Sequence, residues 1–96
     1  MPRSGVVIAL TLYSRPGCHL CVEMKAVVER VVRELETAVA IDEVDISTDA
    51  NLETRYGLEI PVLLIDGRKA AKYRVTEGEL ARMLRAREGE PGRAKG

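Results

Sequence analysis

The hydrophobic pattern of the chain changes abruptly at Pro16-Gly17, and this change restricts the fold more than any other feature. Before it lies a nearly continuous apolar run, residues 5–12, which is typical of a strand buried on both faces of a sheet. After it, apolar residues recur at helical spacing from about Cys18 to Leu35. Because Pro-Gly interrupts regular structure, the sequence predicts a strand, a tight turn and a long helix in succession.

The middle of the chain predicts a second strand and a short helix. The strand covers roughly residues 38–46, and its imperfect alternation indicates a bulge or a late start near Glu43. Residues 47–49 supply N-cap side chains for a helix that continues through Tyr56. Gly57 then stands where a helix-terminating glycine is common.

The last third predicts a hairpin and a final helix. Asp66-Gly67 is a preferred pair for a two-residue turn between strands at 58–65 and 68–74. Thr76 and Glu79 have the spacing of a capping box at the start of the last helix. The predicted order is β-α-β-α-β-β-α, an α/β fold with a four-stranded mixed sheet and helices on both faces.

Length and composition limit the number of domains and the classes of partner. The 96 residues suffice for one domain, residues 1–87, and the charged Gly/Pro-containing segment 88–96 predicts a disordered tail. Fifteen basic and fifteen acidic side chains balance, so neither nucleic acid nor an anionic membrane is expected as a partner. No apolar run approaches the ~20 residues of a membrane span. We expect a monomer.

The two cysteines, Cys18 and Cys21, form a C-x-x-C motif where the strand gives way to the helix. This setting predicts a thiol–disulfide redox site, and two cysteines are too few for a secreted disulfide scaffold, which favours a cytoplasmic location. A chance pair of buried cysteines is the simplest alternative. With His19 they provide only three of the four ligands that zinc prefers, so no metal is expected in a monomer. A metal or iron–sulfur cluster bridging two chains stays open.

The position of the motif assigns different roles to its two thiols. Cys18 lies at the predicted start of a helix, where unpaired N–H groups and the helix dipole favour a thiolate. Arg15 adds a nearby cation, and His19, when protonated, modulates the ionisation of Cys18. Cys21 lies one helical turn further and should be more buried and less ionised. We therefore predict Cys18 as the nucleophile and Cys21 as the resolving thiol.

Four segments in this order and spacing resemble glutaredoxins of the thioredoxin-fold superfamily, especially small bacterial glutaredoxin-like proteins. They are Leu12–Cys21, Val44–Ile46, Arg55–Leu63 and Asp66-Gly67. The resemblance implies a thioredoxin fold and a glutaredoxin-like thiol–disulfide oxidoreductase with no bound cofactor. It also implies glutathione as a co-substrate and a disulfide-containing protein or small molecule as the substrate.

The resemblance further implies a substrate site beside the cysteines. Ile60-Pro61 matches the family's cis-proline, which faces the C-x-x-C and leaves the backbone N–H and C=O of Ile60 to pair with an extended substrate. Arg15 stands where the family has a lysine, and it is expected to bind a carboxylate. The family's Gly-Gly-x-x-Asp stretch is missing, and Glu77 would repel a carboxylate there. The reductant, glutathione or a thioredoxin-reductase system, is therefore left open.

Overall fold

The computed structural model describes residues 7–35 and 38–89, and its elements follow the predicted order. They are β1 (Val7–Ser14), α1 (His19–Arg33), β2 (Ala38–Asp45), α2 (Ala50–Tyr56), β3 (Val62–Ile65), β4 (Arg68–Lys72) and α3 (Glu77–Gly89). A 3-10 turn, Ile46–Thr48, connects β2 to α2. The strand order is β2-β1-β3-β4, with β1 parallel to β2 and β3 antiparallel to both of its neighbours. The predicted four-stranded mixed sheet is confirmed.

Two apolar clusters lie on opposite faces of this sheet. The main core joins β1 and β3 to α1 and α3 through Ile8, Leu10, Leu12, Met24, Val28, Val31, Leu63, Ile65, Val75, Leu80 and Leu84. The small core joins α2 and the 3-10 turn to the other face through Ile46, Tyr56 and Val62, with Tyr13 and Ile60 packed against it. Helices therefore cover both faces, as predicted, and the small core lies at the carboxyl end of β1.

Strand β1 is less buried than its apolar sequence predicts. Ile8 and Leu10 are almost completely buried in the main core, whereas Val7 on the opposite face is 54% exposed and Ala9 is also exposed. The reason is that α2 has only seven residues and covers the sheet only near Tyr13. The expectation of a strand buried on both faces is therefore wrong for the first half of β1, and residues 5 and 6 of that prediction lie outside the described residues.

The predicted bulge near Glu43 is also wrong, because β1 and β2 pair without interruption from Val7–Ala38 to Ser14–Asp45. The irregularity lies instead between Leu63 and Leu64, in the pairing of β3 with β4. Strand β2 pairs only with β1, and Ile41 on it is 39% exposed. Because an edge strand buries few side chains, its apolar and polar residues need not alternate strictly. This explains why the sequence of β2 suggested a bulge.

The hairpin and the final helix follow their local sequence signals. Asp66 and Gly67 have φ angles of 50° and 84°, as a type I′ turn requires. The Thr76 N–H donates to Glu79 Oε1 at 3.1 Å and the Glu79 N–H donates to Thr76 Oγ1 at 3.1 Å, so the capping box is confirmed. Helix α3 includes Glu88 and Gly89, the first two residues of the predicted tail, and Glu88 is a good helix former.

The remainder of the predicted tail, residues 90–96, lies outside the described residues.

Strand β3 is shorter than predicted, since it begins only after Pro61. The N–H groups of Glu59 and Ile60 both donate to the Tyr56 carbonyl, which continues the turn of α2 instead of extending the strand. Within the described residues, no helix has the combination of length and apolar character that spanning a membrane requires.

Candidate thiol–disulfide site

The turn between β1 and α1 places Cys18 at the start of the helix. The Cys18 N–H donates to the Arg15 carbonyl at 3.2 Å, which closes the turn. Gly17 has a φ of 83°, a left-handed conformation that glycine adopts without the steric cost of a Cβ. Cys18 itself is extended, with φ −87° and ψ 110°, and is the N-cap residue of α1. The sequence Pro-Gly-Cys thus fixes where the helix begins.

The sulfur of Cys18 takes the place of an N-cap oxygen. Cys18 Sγ accepts a hydrogen bond from the Cys21 N–H at 3.1 Å. The first turn of α1, all of it within the described residues, carries no acidic side chain that would compete for these N–H groups. His19 is the first residue of the helix and is exposed. Backbone donors and the positive end of the helix dipole therefore act on the sulfur, as an anion would require.

Cys18 and Cys21 are joined by a disulfide, and their Cα atoms are 5.2 Å apart. Cys21 is only 3% exposed and is part of the apolar interior, whereas Cys18 is partly exposed. The predicted difference in burial is confirmed. A reactant in solution therefore reaches Cys18 more readily than Cys21.

Arg15 is engaged within the protein. Its Nη2 lies 2.7 Å from Glu53 Oε1 and its Nε lies 3.2 Å from Glu53 Oε2, so the pair is bidentate. Nη2 also donates to the Gly57 carbonyl at 3.4 Å. Arg15 therefore ties the turn before Cys18 to α2. Since Glu53 is 38 residues away in sequence, only the tertiary fold reveals this contact.

The end of α2 requires a glycine at position 57, because there is no space for a Cβ atom. Its φ is −55°, so it is an ordinary helical residue and not the left-handed terminator that its position suggests. A Cβ at Gly57 would lie 2.5 Å from the Glu53 carbonyl oxygen and 3.3 Å from Arg15 Nη2. A side chain here would press on the Arg15–Glu53 pair.

Pro61 is brought next to the turn before Cys18. The antiparallel register pairs Tyr13 with Val62, so the preceding Pro61 lies beside Ser14, the last residue of β1. The Ile60–Pro61 peptide bond is cis. The Ile60 N–H donates to the Tyr56 carbonyl at 3.1 Å, so the expectation of a free N–H is wrong, because the end of α2 uses that donor. Among the described residues, no hydrogen bond reaches the Ile60 carbonyl.

A cleft of about 540 Å³ opens on the β2 side of the disulfide, and both cysteines line it. Ser14 on its floor is 5% exposed, and its hydroxyl donates to Glu43 Oε2 at 3.1 Å. Glu43 Oε1 lies 2.8 Å from Lys25 Nζ. We call Ser14, Lys25 and Glu43 the cleft cluster. Sequence reasoning missed it because its members come from three elements; the one available signal was that Lys25 follows Cys21 by a helical turn.

The carboxylates of the cleft are ionised at neutral pH. The hydrogen bond from Lys25 lowers the pKa of Glu43, with a further contribution from the Ser14 hydroxyl, and together they outweigh the opposing effect of burial. The same contact raises the pKa of Lys25. The hydroxyl and backbone N–H of Ser47 lower the pKa of Asp45, and the charge of Arg15 adds to this effect. The cleft therefore presents fixed charges of both signs beside the two sulfurs.

Metal-ligating side chains do not cluster in the described part of the chain. Across residues 7–35 and 38–89, no three His, Cys, Asp or Glu side chains lie close enough together to hold a metal ion.

Comparisons with known proteins agree with this geometry. A family model described as a glutaredoxin-like domain matches residues 9–85. A glutaredoxin-like protein of Dictyostelium discoideum is 30% identical over 77 residues, which cover 76% of this chain and 71% of the relative. Among solved structures, protein XcR50 of X. campestris is 36% identical with a TM-score of 0.64, and the match covers 80% of this chain and 96% of XcR50.

A more distant structure supports the fold alone. Chloroplastic thioredoxin z is 12% identical with a TM-score of 0.70, over 85% of this chain and 79% of the thioredoxin. The family match spans β1 through most of α3 and includes both cysteines. The chain therefore belongs to the glutaredoxin-like domain family and has the thioredoxin fold, as its C-x-x-C and Ile-Pro segments implied.

Proposed function

We propose that the protein is a dithiol oxidoreductase that reduces or exchanges disulfides through Cys18 and Cys21. The observation that carries this proposal is the contrast between the two sulfurs at the start of α1. Cys18 is partly exposed and its Sγ accepts the Cys21 N–H, whereas Cys21 is 3% exposed. An outer sulfur stabilised as an anion and an inner sulfur within bonding distance are the requirements of a nucleophile and a resolving thiol.

The proposed cycle balances two electrons. The Cys18 thiolate attacks one sulfur of a substrate disulfide, forms a mixed disulfide and releases the other substrate thiolate. The Cys21 thiol then loses its proton and attacks Cys18 Sγ, which releases the second substrate thiol and forms the Cys18–Cys21 disulfide. The substrate is reduced and the protein is oxidised. An external thiol reverses the oxidation and completes the cycle.

The substrate is proposed to lie beside Pro61, as an extended peptide. The Ile60 carbonyl, which no group in the described chain occupies, is the acceptor that would pair with a substrate N–H. The engaged Ile60 N–H limits this pairing to one hydrogen bond instead of two. A disulfide-containing protein segment or a small disulfide fits this description equally.

The contacts of Arg15 and α3 bear on the reductant. Glutathione carries two carboxylates, and Arg15 would have to leave Glu53 to bind either of them. At the start of α3, the capping box already uses the N–H groups of Thr76 and Glu79. These contacts favour a thioredoxin-reductase system over glutathione as the electron source. Turnover of a small disulfide with each source in turn tests this choice directly.

Replacing the cysteines one at a time tests the assigned roles. Cys18→Ser is expected to abolish disulfide reduction, because the nucleophile is lost. Cys21→Ser is expected to accumulate a covalent mixed disulfide, visible by intact-protein mass spectrometry as the protein mass plus one substrate thiol. Turnover at the wild-type rate by Cys18→Ser would show that the redox assignment is wrong. A trapped adduct on Cys21 in Cys18→Ser would instead reverse the two roles.

A further inference from the structure

Tyr73, the residue after β4, has a backbone conformation that tyrosine rarely adopts. Its φ is 70°, and the Arg74 N–H donates to the Lys72 carbonyl at 2.8 Å, so Tyr73 is the central residue of a strained γ-turn. Among the described residues, the one other non-glycine with a positive φ is Asp66, a residue type that tolerates this region. Glycine would form the turn at position 73 without strain. The strain therefore points to a role for the tyrosine side chain.

Tyr73 contacts the segment before β3 at two points. Its N–H donates to the Pro61 carbonyl at 2.9 Å, and its phenol hydroxyl donates to the Leu58 carbonyl at 3.2 Å. These two carbonyls lie on either side of Ile60 along the chain. The Ile60 carbonyl itself receives no hydrogen bond from the described residues. One residue thus holds the backbone on both sides of the carbonyl that the proposed function assigns to the substrate.

Core packing does not explain why a tyrosine occupies this position. The Tyr73 side chain is 44% exposed and belongs to neither apolar cluster. Leu58, whose carbonyl the phenol reaches, is 94% exposed, so its own side chain does not anchor the segment either. Lys72 Nζ lies 5.5 Å from the centroid of the Tyr73 ring, a favourable cation–π contact that helps to hold the ring. Hydrogen bonds from Tyr73, and not packing, therefore hold this part of the backbone.

We propose that Tyr73 is a positioning residue that keeps the Ile60 carbonyl in the direction in which it accepts a substrate N–H. The strength of a hydrogen bond depends on the direction of the acceptor, and a peptide unit that is already fixed loses little freedom when the substrate binds. Strain at Tyr73 is the cost of holding both neighbouring carbonyls. This inference rests on the proposed function and names the residue that prepares its substrate-binding step. It applies only to substrates that have a backbone N–H.

Two disulfides separate this positioning effect from the reactivity of Cys18. The disulfide of a short blocked peptide, with one cysteine among alanines, offers backbone N–H groups, whereas hydroxyethyl disulfide has none. Each is mixed with the reduced protein, and acid quenching followed by alkylation measures the loss of the two protein thiols in a single turnover. The rate of each variant is divided by the wild-type rate with the same disulfide, which cancels the intrinsic reactivity of that disulfide.

Two substitutions of Tyr73 test its side chain without breaking the turn. Tyr73→Phe removes only the hydroxyl that donates to the Leu58 carbonyl. Its rate with the peptide disulfide is expected to fall roughly fivefold, about the contribution of one hydrogen bond, while its rate with hydroxyethyl disulfide stays at the wild-type value. Tyr73→Gly keeps the N–H that reaches Pro61, because glycine adopts this φ without steric cost. It should lose at least as much with the peptide and nothing with the small disulfide.

Lys69→Gln is the matched control from β4. Lys69 Nζ lies 2.9 Å from Glu59 Oε1, so this side chain also joins β4 to the segment before β3. The ion pair holds the end of a flexible side chain and no backbone carbonyl, and both rates of Lys69→Gln should therefore match those of wild type. A selective loss of the peptide rate in Lys69→Gln as large as that in Tyr73→Phe would contradict the specific role of Tyr73.

The outcomes separate this inference from the proposed function. If the wild-type protein reacts with neither disulfide, Cys18 is not a nucleophile and both proposals are wrong. If the wild-type protein reacts and Tyr73→Phe slows both disulfides equally, or slows neither, only the positioning role is refuted. A full peptide rate in Tyr73→Gly also refutes it, because Tyr73 would then be a turn residue and nothing more.

Discussion

The amino ends of α1 and α3 are built from the same backbone geometry and serve opposite purposes. At α1 the N-cap group is the Cys18 sulfur, and the first turn, which is fully described, carries no acidic side chain. At α3 the cap is the Thr76 hydroxyl, and Glu77 and Glu79 stand in the first turn. At the start of α1 a backbone N–H donates to the Cys18 sulfur, whereas at the start of α3 backbone N–H groups donate to the side-chain oxygens of Thr76 and Glu79.

The two helix ends differ in what their N–H groups and dipole act on: side-chain oxygens of the fold at α3, and the Cys18 sulfur at α1. A Ser or Thr cap contributes about 1 kcal/mol to stability, and a carboxylate near a helix N-terminus adds a few tenths more. The sulfur of Cys18 is a weaker acceptor than an oxygen, so α1 gives up part of that stabilisation. In return, the N–H groups and dipole of α1 act on a group that becomes an anion in the proposed reaction. The same electrostatics thus stabilise the fold at α3 and would stabilise the thiolate of the proposed reaction at α1.

The comparison is tested most strongly by placing a carboxylate in the first turn of α1. In His19→Glu the new charge competes for the helix N-terminus and repels the Cys18 thiolate. A repulsion of ~1 kcal/mol, typical of exposed charges a few ångström apart, corresponds to about fivefold slower alkylation near neutral pH. Iodoacetamide modification followed against pH measures this rate, and the midpoint of the profile should move to higher pH.

His19→Gln is the matched control, because it removes the imidazole without adding a charge. Its alkylation rate should stay close to that of wild type. An equal loss of rate in the two variants would show that the imidazole matters and the charge does not. Faster alkylation of His19→Glu would overturn the electrostatic interpretation of the α1 terminus.

The converse change removes the cap of α3. Thr76→Ala loses the hydroxyl that accepts the Glu79 N–H and is expected to lower the free energy of unfolding by about 1 kcal/mol. The alkylation rate of Cys18 should not change, since α3 contributes stability and not reactivity. Urea unfolding followed by circular dichroism measures the first effect. Glu79→Gln, which can still complete a capping box, should cost less; a larger cost than that of Thr76→Ala would contradict this account.

Much of the fold could be predicted because its signals are local. The change of periodicity at Pro16-Gly17, the Asp66-Gly67 turn and the Thr76/Glu79 box each act within a few residues. Errors arose where burial depends on distant elements. The apolar sequence of β1 cannot reveal that α2 is too short to cover Val7, and the pattern of β2 cannot reveal that it is an edge strand.

In the candidate site, too, features that depend on local sequence were predicted and contacts between distant elements were missed. The relative burial of Cys18 and Cys21 follows from their positions on one helix and was predicted. The partner of Arg15 was not, since Glu53 approaches only when α2 packs beside the turn. The link between Ser14 and Glu43 likewise depends on the parallel pairing of β1 with β2. Contacts between elements need the register, which one sequence does not supply.

The smallest expected effect concerns an ion pair that joins α1 to the amino end of α3. Arg30 Nε lies 2.6 Å from Glu77 Oε2, with both side chains about half exposed. Glu77→Gln loses this pair and a favourable charge at the α3 terminus, together about 0.5 kcal/mol of unfolding free energy. Combining it with Arg30→Gln in a double-mutant cycle separates the two contributions. The pair's share should vanish in high salt, which screens exposed charges. A coupling energy that persists in high salt would mean that Arg30 and Glu77 interact by packing and not by charge. The charges in the first turn of α3 would then contribute less to the free energy of unfolding than we expect from the comparison with α1.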